Sequence, residues 1–260
     1  MEETSAKDVK AKLEVMTHFD RDALGFDFER KAAGYRLRHR LVKSLFTKEF
    51  RTGAFALDTG CGTGEYAISL AQVGFEVVGG DLSKGMLSVA KSKIKRHKLS
   101  QKIQLVRLEA TELPFQSESF DTITCIALLD WVPDSQRLLV ETNRVLKHQA
   151  RLIVCADALW SPYRIFRNIQ FAISRRGKRY ARIFNSRELQ RTFTTCGFQV
   201  EKFFGDVLLA QIITRLLFDP KATVLADKVL KATQPLDHHL TNMPLLKSLS
   251  AHYIIEARKE

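Results

Sequence analysis

Leu57-Asp58-Thr59-Gly60-Cys61-Gly62-Thr63-Gly64 is the stretch on which the reading of this chain turns. A short apolar run, Ala54 to Leu57, breaks into the three glycines and resumes as Tyr66-Ala67-Ile68-Ser69-Leu70-Ala71, a helical pattern closed at Gly74. The order is strand, glycine turn, helix. Residues without a Cβ let the backbone turn tightly out of a strand and let a ligand come up against the main chain, so the turn is a nucleotide cradle.

The same alternation continues on the far side of the turn. Glu76 to Gly80 reads as a strand, Lys84 to Lys98 as a helix, Ile103 to Leu108 and Thr122 to Leu128 as strands, Gln136 to Leu146 as a helix and Arg151 to Ala156 as a strand. Strands separated by helices imply a parallel sheet wound by right-handed crossovers. Ser186 to Thr195 reads as a helix started by Asn185 or Ser186 and closed by Cys196-Gly197. Phe198 to Phe204 and Ala251 to Arg258 read as two closing strands, antiparallel if they pair.

The expected fold is α/β: a Rossmann-like, doubly wound, seven-stranded and mostly parallel sheet with an antiparallel closing strand and helical cap insertions. One domain is expected over 1–260. It divides into an N-terminal helical cap of one or two amphipathic helices (1–50), a core (54–156), a basic helical insertion (157–184), closing helix and strands (185–206 and 251–259) and a second helical insertion (207–250).

Asp81 stands 17 residues past Gly64, at the end of the next strand, where a carboxylate can accept both hydroxyls of a ribose. The dinucleotide fingerprint Gly-x-Gly-x-x-Gly requires a third glycine one position after Gly64, and that position is Glu65. A nicotinamide dinucleotide is therefore disfavoured. Asp58, just ahead of the glycines, points the same way: a carboxylate there repels a pyrophosphate and suits a ligand carrying an ammonium and a sulfonium.

Leu57 to Gly64, followed by Val78-Gly79-Gly80-Asp81-Leu82-Ser83 with Met86, resembles the first two motifs of class I S-adenosylmethionine-dependent methyltransferases. Leu108-Glu109-Ala110-Thr111-Glu112-Leu113-Pro114-Phe115 is similar to the third segment of that family. Phe120-Asp121-Thr122-Ile123 through Leu129-Asp130-Trp131-Val132-Pro133-Asp134 is similar to its fourth strand and following loop, and Arg144-Val145-Leu146-Lys147 to its usual helix end. The resemblance covers about 54–156 closely and the Phe193 to Phe204 stretch loosely. It implies S-adenosyl-L-methionine as methyl donor, S-adenosyl-L-homocysteine as product, and a cofactor site made of Asp58, Gly60, Cys61, Gly62, Gly64, Asp81, Leu82, Met86, Glu109, Ala110, Thr111, Ala127 and Trp131. Three departures stand out: Glu109 replaces the common Asp that meets the adenine, Trp131 replaces a frequent His, and His148-Gln149-Ala150 replaces a Pro-Gly-Gly turn.

The acceptor is less legible. Methyl transfer is an in-line displacement that depends mainly on positioning, and a base is required only where the acceptor carries a proton. No base is identified; the candidates by position are Asp130, His18, Tyr35 and Asp157. The excess of 41 Lys+Arg over 29 Asp+Glu, +12, favours an anionic partner. Trp160, Tyr163, Phe166 and Phe171 interleave with Arg164, Arg167, Arg175, Arg176, Lys178, Arg179 and Arg182, with no acid from 158 to 187. The expected acceptor is small or lipid-like, anionic or carrier-bound, and methylated on oxygen. RNA, tRNA or rRNA, held by the basic insertion is the alternative. The apolar stripe from Val207 to Phe218 reads equally as a cavity lining or a dimer interface.

No apolar run of about 18 residues occurs, and Met1 to Lys10 lacks an apolar stretch, so neither a spanning helix nor a signal peptide is expected. The expected location is the cytoplasm, with peripheral contact at a membrane surface if the acceptor is a lipid. Cys61, Cys125, Cys155 and Cys196 show no Cys-x-x-Cys spacing and are expected to be buried, while His238, His239 and His252 are too scattered to suggest a metal.

Overall fold

The computed structural model describes residues 2–29, 33–46, 53–159, 184–206 and 249–260, with isolated positions 232, 236 and 243. Almost all of the basic insertion and of the second insertion expected from the sequence therefore lie outside the described residues. The cap comprises three helical pieces, α1 (Glu2–Asp22), α2 (Phe26–Glu29) and α3 (Ala33–Phe46). Then follow β1 (Phe55–Thr59), α4 (Glu65–Val73), β2 (Glu76–Asp81), α5 (Lys84–Arg96), β3 (Ile103–Arg107) and β4 (Phe120–Ile126). A single 3₁₀ turn, Leu129–Trp131, leads to α6 (Ser135–Val145), β5 (Leu146–Asp157), α7 (Ser186–Thr195), β6 (Phe198–Asp206) and β7 (His252–Lys259).

The seven strands form one sheet in the order β3-β2-β1-β4-β5-β7-β6. β7 runs antiparallel to both β5 and β6, and the remaining pairings are parallel. Winding starts at β1 and proceeds outward in both directions, so the order reverses between β1 and β4. At such a switch point the loops leaving the strand ends diverge and open a crevice for a ligand.

Both faces of the sheet are covered, which is why its central strands are apolar on both sides rather than alternating. Ala56, Val77, Ile153, Cys155 and Ile254 pack with Val42, Leu45 and Phe46 of α3, with Tyr66 to Ala71 of α4 and with Ala90 and Ile94 of α5. Leu57, Ile123, Cys125, Val154, Tyr253 and Ile255 face the other way, against Leu138 and Leu139 of α6 and Leu189 and Phe193 of α7. All four cysteines are buried thiols. No described helix is long and apolar enough to cross a membrane.

The strands differ from the sequence reading by one or two residues at several ends, and two limits have a clear backbone cause. β4 stops at Ile126 because Ala127 takes the left-handed conformation, φ 55°, which turns the chain out of the sheet. β5 begins at Leu146, directly from the end of α6, and is bent by Gln149 at φ 60° before it pairs regularly from Arg151. The foot of the sheet holds a buried ion pair: Arg151 Nη1 lies 3.1 Å from Glu256 Oε1 and 3.2 Å from the Leu45 carbonyl, and Lys202 also bonds Glu256. Removing one member leaves a charge stranded in low dielectric. Glu256→Ala is therefore expected to cost about 3–5 kcal/mol in urea unfolding, and a loss below about 1 kcal/mol would contradict this role for the pair.

Candidate active site

The glycine turn is built by backbone geometry and checked by side-chain space. The amides of Gly60 and Cys61 both donate to the Gly80 carbonyl, at 2.8 and 2.9 Å, which ties the turn to the end of β2. Gly60 has φ 70°, and a Cβ there would lie 2.8 Å from Leu128 Cδ1; at Gly64, φ 81°, it would lie 3.1 Å from the Ala90 Cβ. Both positions need glycine for conformation and for room.

Asp81 closes the crevice from the β2 side. Its Oδ2 accepts from the Gly62 amide and its Oδ1 from the Ser83 amide, each at 2.8 Å. Burial pushes the Asp81 carboxyl up, the Ser83 and Gly62 amides pull it partly back, and the nearby Asp20 adds to the rise. A carboxylate offers about four lone-pair directions, so two amides leave room for two hydroxyl donors. Neutral donors suit a crowded acid, and a ribose diol supplies two of them. The residues present thus fit the adenosine part of S-adenosylmethionine.

Asp58 is buried at the end of β1, where the Thr124 hydroxyl donates to its Oδ1 at 2.7 Å. On the opposite flank, Glu109 Oε1 accepts from the Thr111 amide and hydroxyl at 3.2 and 3.0 Å. Ala110 and Thr111 are buried, as is the Met86 side chain on α5, while the Leu82 carbonyl accepts from Arg107 Nε at 3.0 Å. Ala127 turns out of β4 just before the loop that carries Trp131. The sequence-predicted cofactor residues thus gather around the carboxyl ends of β1, β2, β3 and β4.

Helices α1 and α2 lie across this crevice through contacts that no local pattern marks. Asp20 Oδ1 accepts from the Gly85 amide at 2.8 Å and from the Ser83 hydroxyl, so an acid of α1 caps α5. The Ser83 hydroxyl and the Gly85 amide hold its carboxyl below the usual range. Lys12 Nζ reaches Glu109 Oε2 at 3.4 Å and Thr111 Oγ1 at 3.3 Å. Phe19 meets Trp131 edge-on at 4.9 Å, and His18 stacks on the same ring at 5.7 Å. The Thr63 hydroxyl donates to Asp27 Oδ1 at 2.6 Å, and Lys93 bridges Asp27 and Glu65 at 3.0 and 2.9 Å. These contacts join residues roughly 30 to 100 positions apart, beyond the reach of any local pattern.

The four candidate bases fall into three places. Asp130 and Asp157 are together, the Asp157 amide donating to Asp130 Oδ1 at 2.8 Å. His18 sits on α1 against Trp131. Tyr35 sits on α3 with the Arg38 guanidinium 4.9 Å above its ring. Burial works against the Arg38 charge, but Tyr66, Cys155, Tyr35 and Asp206 outweigh it and keep the group protonated. Next to Tyr35 and Arg38 the sequence reading missed a further group, His252 with Asp206, because their approach depends on β7 entering the sheet between β5 and β6.

A methyltransferase-domain family model matches residues 57–154. The chain is 35% identical over 195 residues to the demethylmenaquinone methyltransferase of Staphylococcus saprophyticus, covering 65% of this chain and 81% of that protein. It is 36% identical over 144 residues to the one of Alkalihalophilus pseudofirmus, covering 54% of this chain and 60% of that protein. Two Lactobacillus johnsonii and Lactiplantibacillus plantarum relatives of the same description are spanned over 47% and 50% of their length. Among solved structures, magnesium protoporphyrin IX methyltransferase of Synechocystis PCC 6803 with bound S-adenosylhomocysteine superimposes with a TM-score of 0.66 at 16% identity, over 96% of this chain and 100% of that one. At that identity the likeness speaks to the fold.

If Asp20 anchors α1 over the crevice, Asp20→Ala is expected to raise amide exchange in α1 by about tenfold or more while β1, β4 and β5 keep their protection. Because the folded-state carboxyl is lowered, the anchor is fully present above the ordinary value of 3.8 and is lost as pH falls through the lower folded value. Protection of α1 is therefore expected to persist at mildly acidic pH, and its loss there in the wild-type chain would contradict the assignment.

Proposed function

This chain belongs to the class I S-adenosylmethionine-dependent methyltransferase family, and on that premise we propose that it methylates a small, lipid-like quinol. The observation that carries the donor half is Asp81, held between the Gly62 and Ser83 amides at the switch point with acceptor capacity to spare. The acceptor half is supported by relatives described as demethylmenaquinone methyltransferases, whose similarity extends over 195 residues and so well beyond the 57–154 segment.

S-adenosylmethionine, when bound, supplies an electrophilic methyl on a sulfonium. The chain's part is to fix positions. Asp81 takes the ribose hydroxyls, the Gly60 to Gly64 backbone lies under the amino-acid end with Asp58 behind it, and Glu109, Ala110 and Thr111 border the adenine. Cys61, Leu82, Met86 and Ala127 shape the floor. His18, Phe19 and Trp131 form an aromatic wall beside Asp130, a surface suited to a flat ring. With α1 closed, that wall keeps water from the reacting atoms, and holding them near 3 Å in line provides most of the rate. Attack comes from the quinol oxygen or its conjugated ring carbon, according to which atom faces the methyl.

The basic, aromatic residues from Trp160 to Arg182 suit a lipid-water boundary, where arginines meet anionic headgroups while the ring of the acceptor enters the crevice. We read the whole of 1–260 as one domain serving this reaction.

Asp81→Ala is expected to weaken S-adenosylmethionine binding by about 1–3 kcal/mol in calorimetry, and unchanged affinity would remove Asp81 from the site. With radiolabelled donor, label is expected to enter a demethylated naphthoquinol presented in detergent. Product analysis separates carbon from oxygen transfer. Label entering bulk RNA instead would overturn the acceptor reading.

A further inference from the structure

Three neighbouring strands place a carboxylate, an imidazole and a second carboxylate side by side. Asp157 of β5 is the register partner of His252 of β7, and His252 is the register partner of Asp206 of β6. Cross-strand partners project to the same face, and this row stands at the carboxyl ends of β5 and β6, continuous with the candidate crevice through the bond from the Asp157 amide to Asp130. Nothing in the donor site uses His252 or Asp206.

The distances give the imidazole a direction. The Asp206 side chain is fully buried, and its Oδ1 lies 2.9 Å from His252 Nδ1 while accepting the His252 amide at 3.0 Å. Nδ1 beside a carboxylate oxygen is assigned as the protonated nitrogen, which leaves the Nε2 lone pair available. Nε2 lies 3.5 Å from Asp157 Oδ1. His252 and Asp157 side chains keep 13% and 17% exposure, so they are the members of the row that an acceptor can reach. A purely structural tie between β6 and β7 is already made by the His252 amide and by the Ala251 amide to the Asp206 carbonyl, and neither bond needs an imidazole.

We propose that His252, oriented by Asp206, takes the proton of the acceptor hydroxyl during methyl transfer, with Asp157 stabilising the imidazolium that forms. This rests on the methyltransferase reading above and assigns its proton acceptor. The acceptor's electron pair forms the new bond to the methyl carbon, the pair of the broken carbon–sulfur bond stays on sulfur, and the hydroxyl proton moves to Nε2; where the ring carbon is the nucleophile, its C–H proton is then lost to water and the imidazolium returns its proton to the oxygen. Among the described residues, Asp206 and Asp157 face the His252 ring, Asp130 accepts from the Asp157 amide, and Arg38 of α3 acts on Asp206 from the face of the sheet. The row is not a metal centre: no cluster of His, Cys, Asp and Glu among the described residues suits one.

The test is steady-state methyl transfer to a demethylated naphthoquinol across pH, with donor affinity measured separately. His252→Gln is expected to lower kcat about 100-fold or more and to abolish the acid limb of the profile, with donor affinity unchanged; added imidazole is expected to rescue His252→Ala. Asp206→Asn, which removes the group that orients the ring, is expected to lower kcat about tenfold or more with donor affinity unchanged. His252→Gln with a rate within about twofold of wild type and an unaltered profile would overturn the proposal. If the wild-type chain binds the donor but leaves the naphthoquinol unmethylated, the acceptor reading falls, and the dyad is judged by nitrogen NMR of the His252 ring: the wild-type chain is expected to show the Nδ1-protonated tautomer and Asp206→Asn to lose that preference, and identical tautomer populations in the two proteins would overturn the dyad itself.

Discussion

A net basic chain gathers aspartates along one edge of its sheet, and most of the architecture around the crevice follows from that crowding. Asp81 ends β2, Asp58 sits in β1, Asp157 ends β5, Asp206 ends β6, and Asp130 lies in the loop after β4. Burying an ionised carboxyl is costly unless donors are aimed at it, so Asp81, Asp58, Asp130 and Asp206 each have backbone amides, a hydroxyl or a histidine on them. Cys125, buried between Asp130 and Asp58, is pushed far toward its neutral thiol, as burial and two nearby negative charges require. An edge of this kind attracts cations and hydroxyl donors, which together describe a sulfonium donor with a ribose and an acceptor with a proton to lose.

How much of this was legible in the sequence depends on how far apart the interacting residues are. The turn at Gly60 to Gly64, the acid at Asp81 and the alternation of strand and helix are local signals, and with right-handed crossovers they give a parallel sheet. An antiparallel closing strand was readable, but its entry between β5 and β6 was not. Nor was the placement of α1 and α2 over the crevice, because Lys12, Phe19, Asp20 and Asp27 reach partners in other elements and carry no local mark of it. His252 read as one scattered histidine among several, since its partner Asp206 is 46 residues away and becomes a neighbour only through strand register. Strand limits failed where single non-glycine residues, Ala127 and Gln149, adopt left-handed backbone.

The division between fold and chemistry is visible in the two halves of the sheet. The family match at 57–154 runs from within β1, through the glycine turn and β2 to β4, to within β5, whereas β6 and β7, which carry Asp206 and His252, lie beyond it. A likeness at 16% identity speaks to the fold, and the chemistry is argued from the residues at the site.

If the crevice over the carboxyl ends of β1, β2 and β4 receives the donor, with Asp81 as its ribose anchor, a crystal structure with S-adenosylhomocysteine will show it. Both ribose hydroxyls are expected to donate to the Asp81 carboxylate at about 2.7 Å, with the adenine beside Glu109 and Thr111 and α1 in place above. A ligand bound elsewhere, or one whose ribose faces away from Asp81, contradicts it.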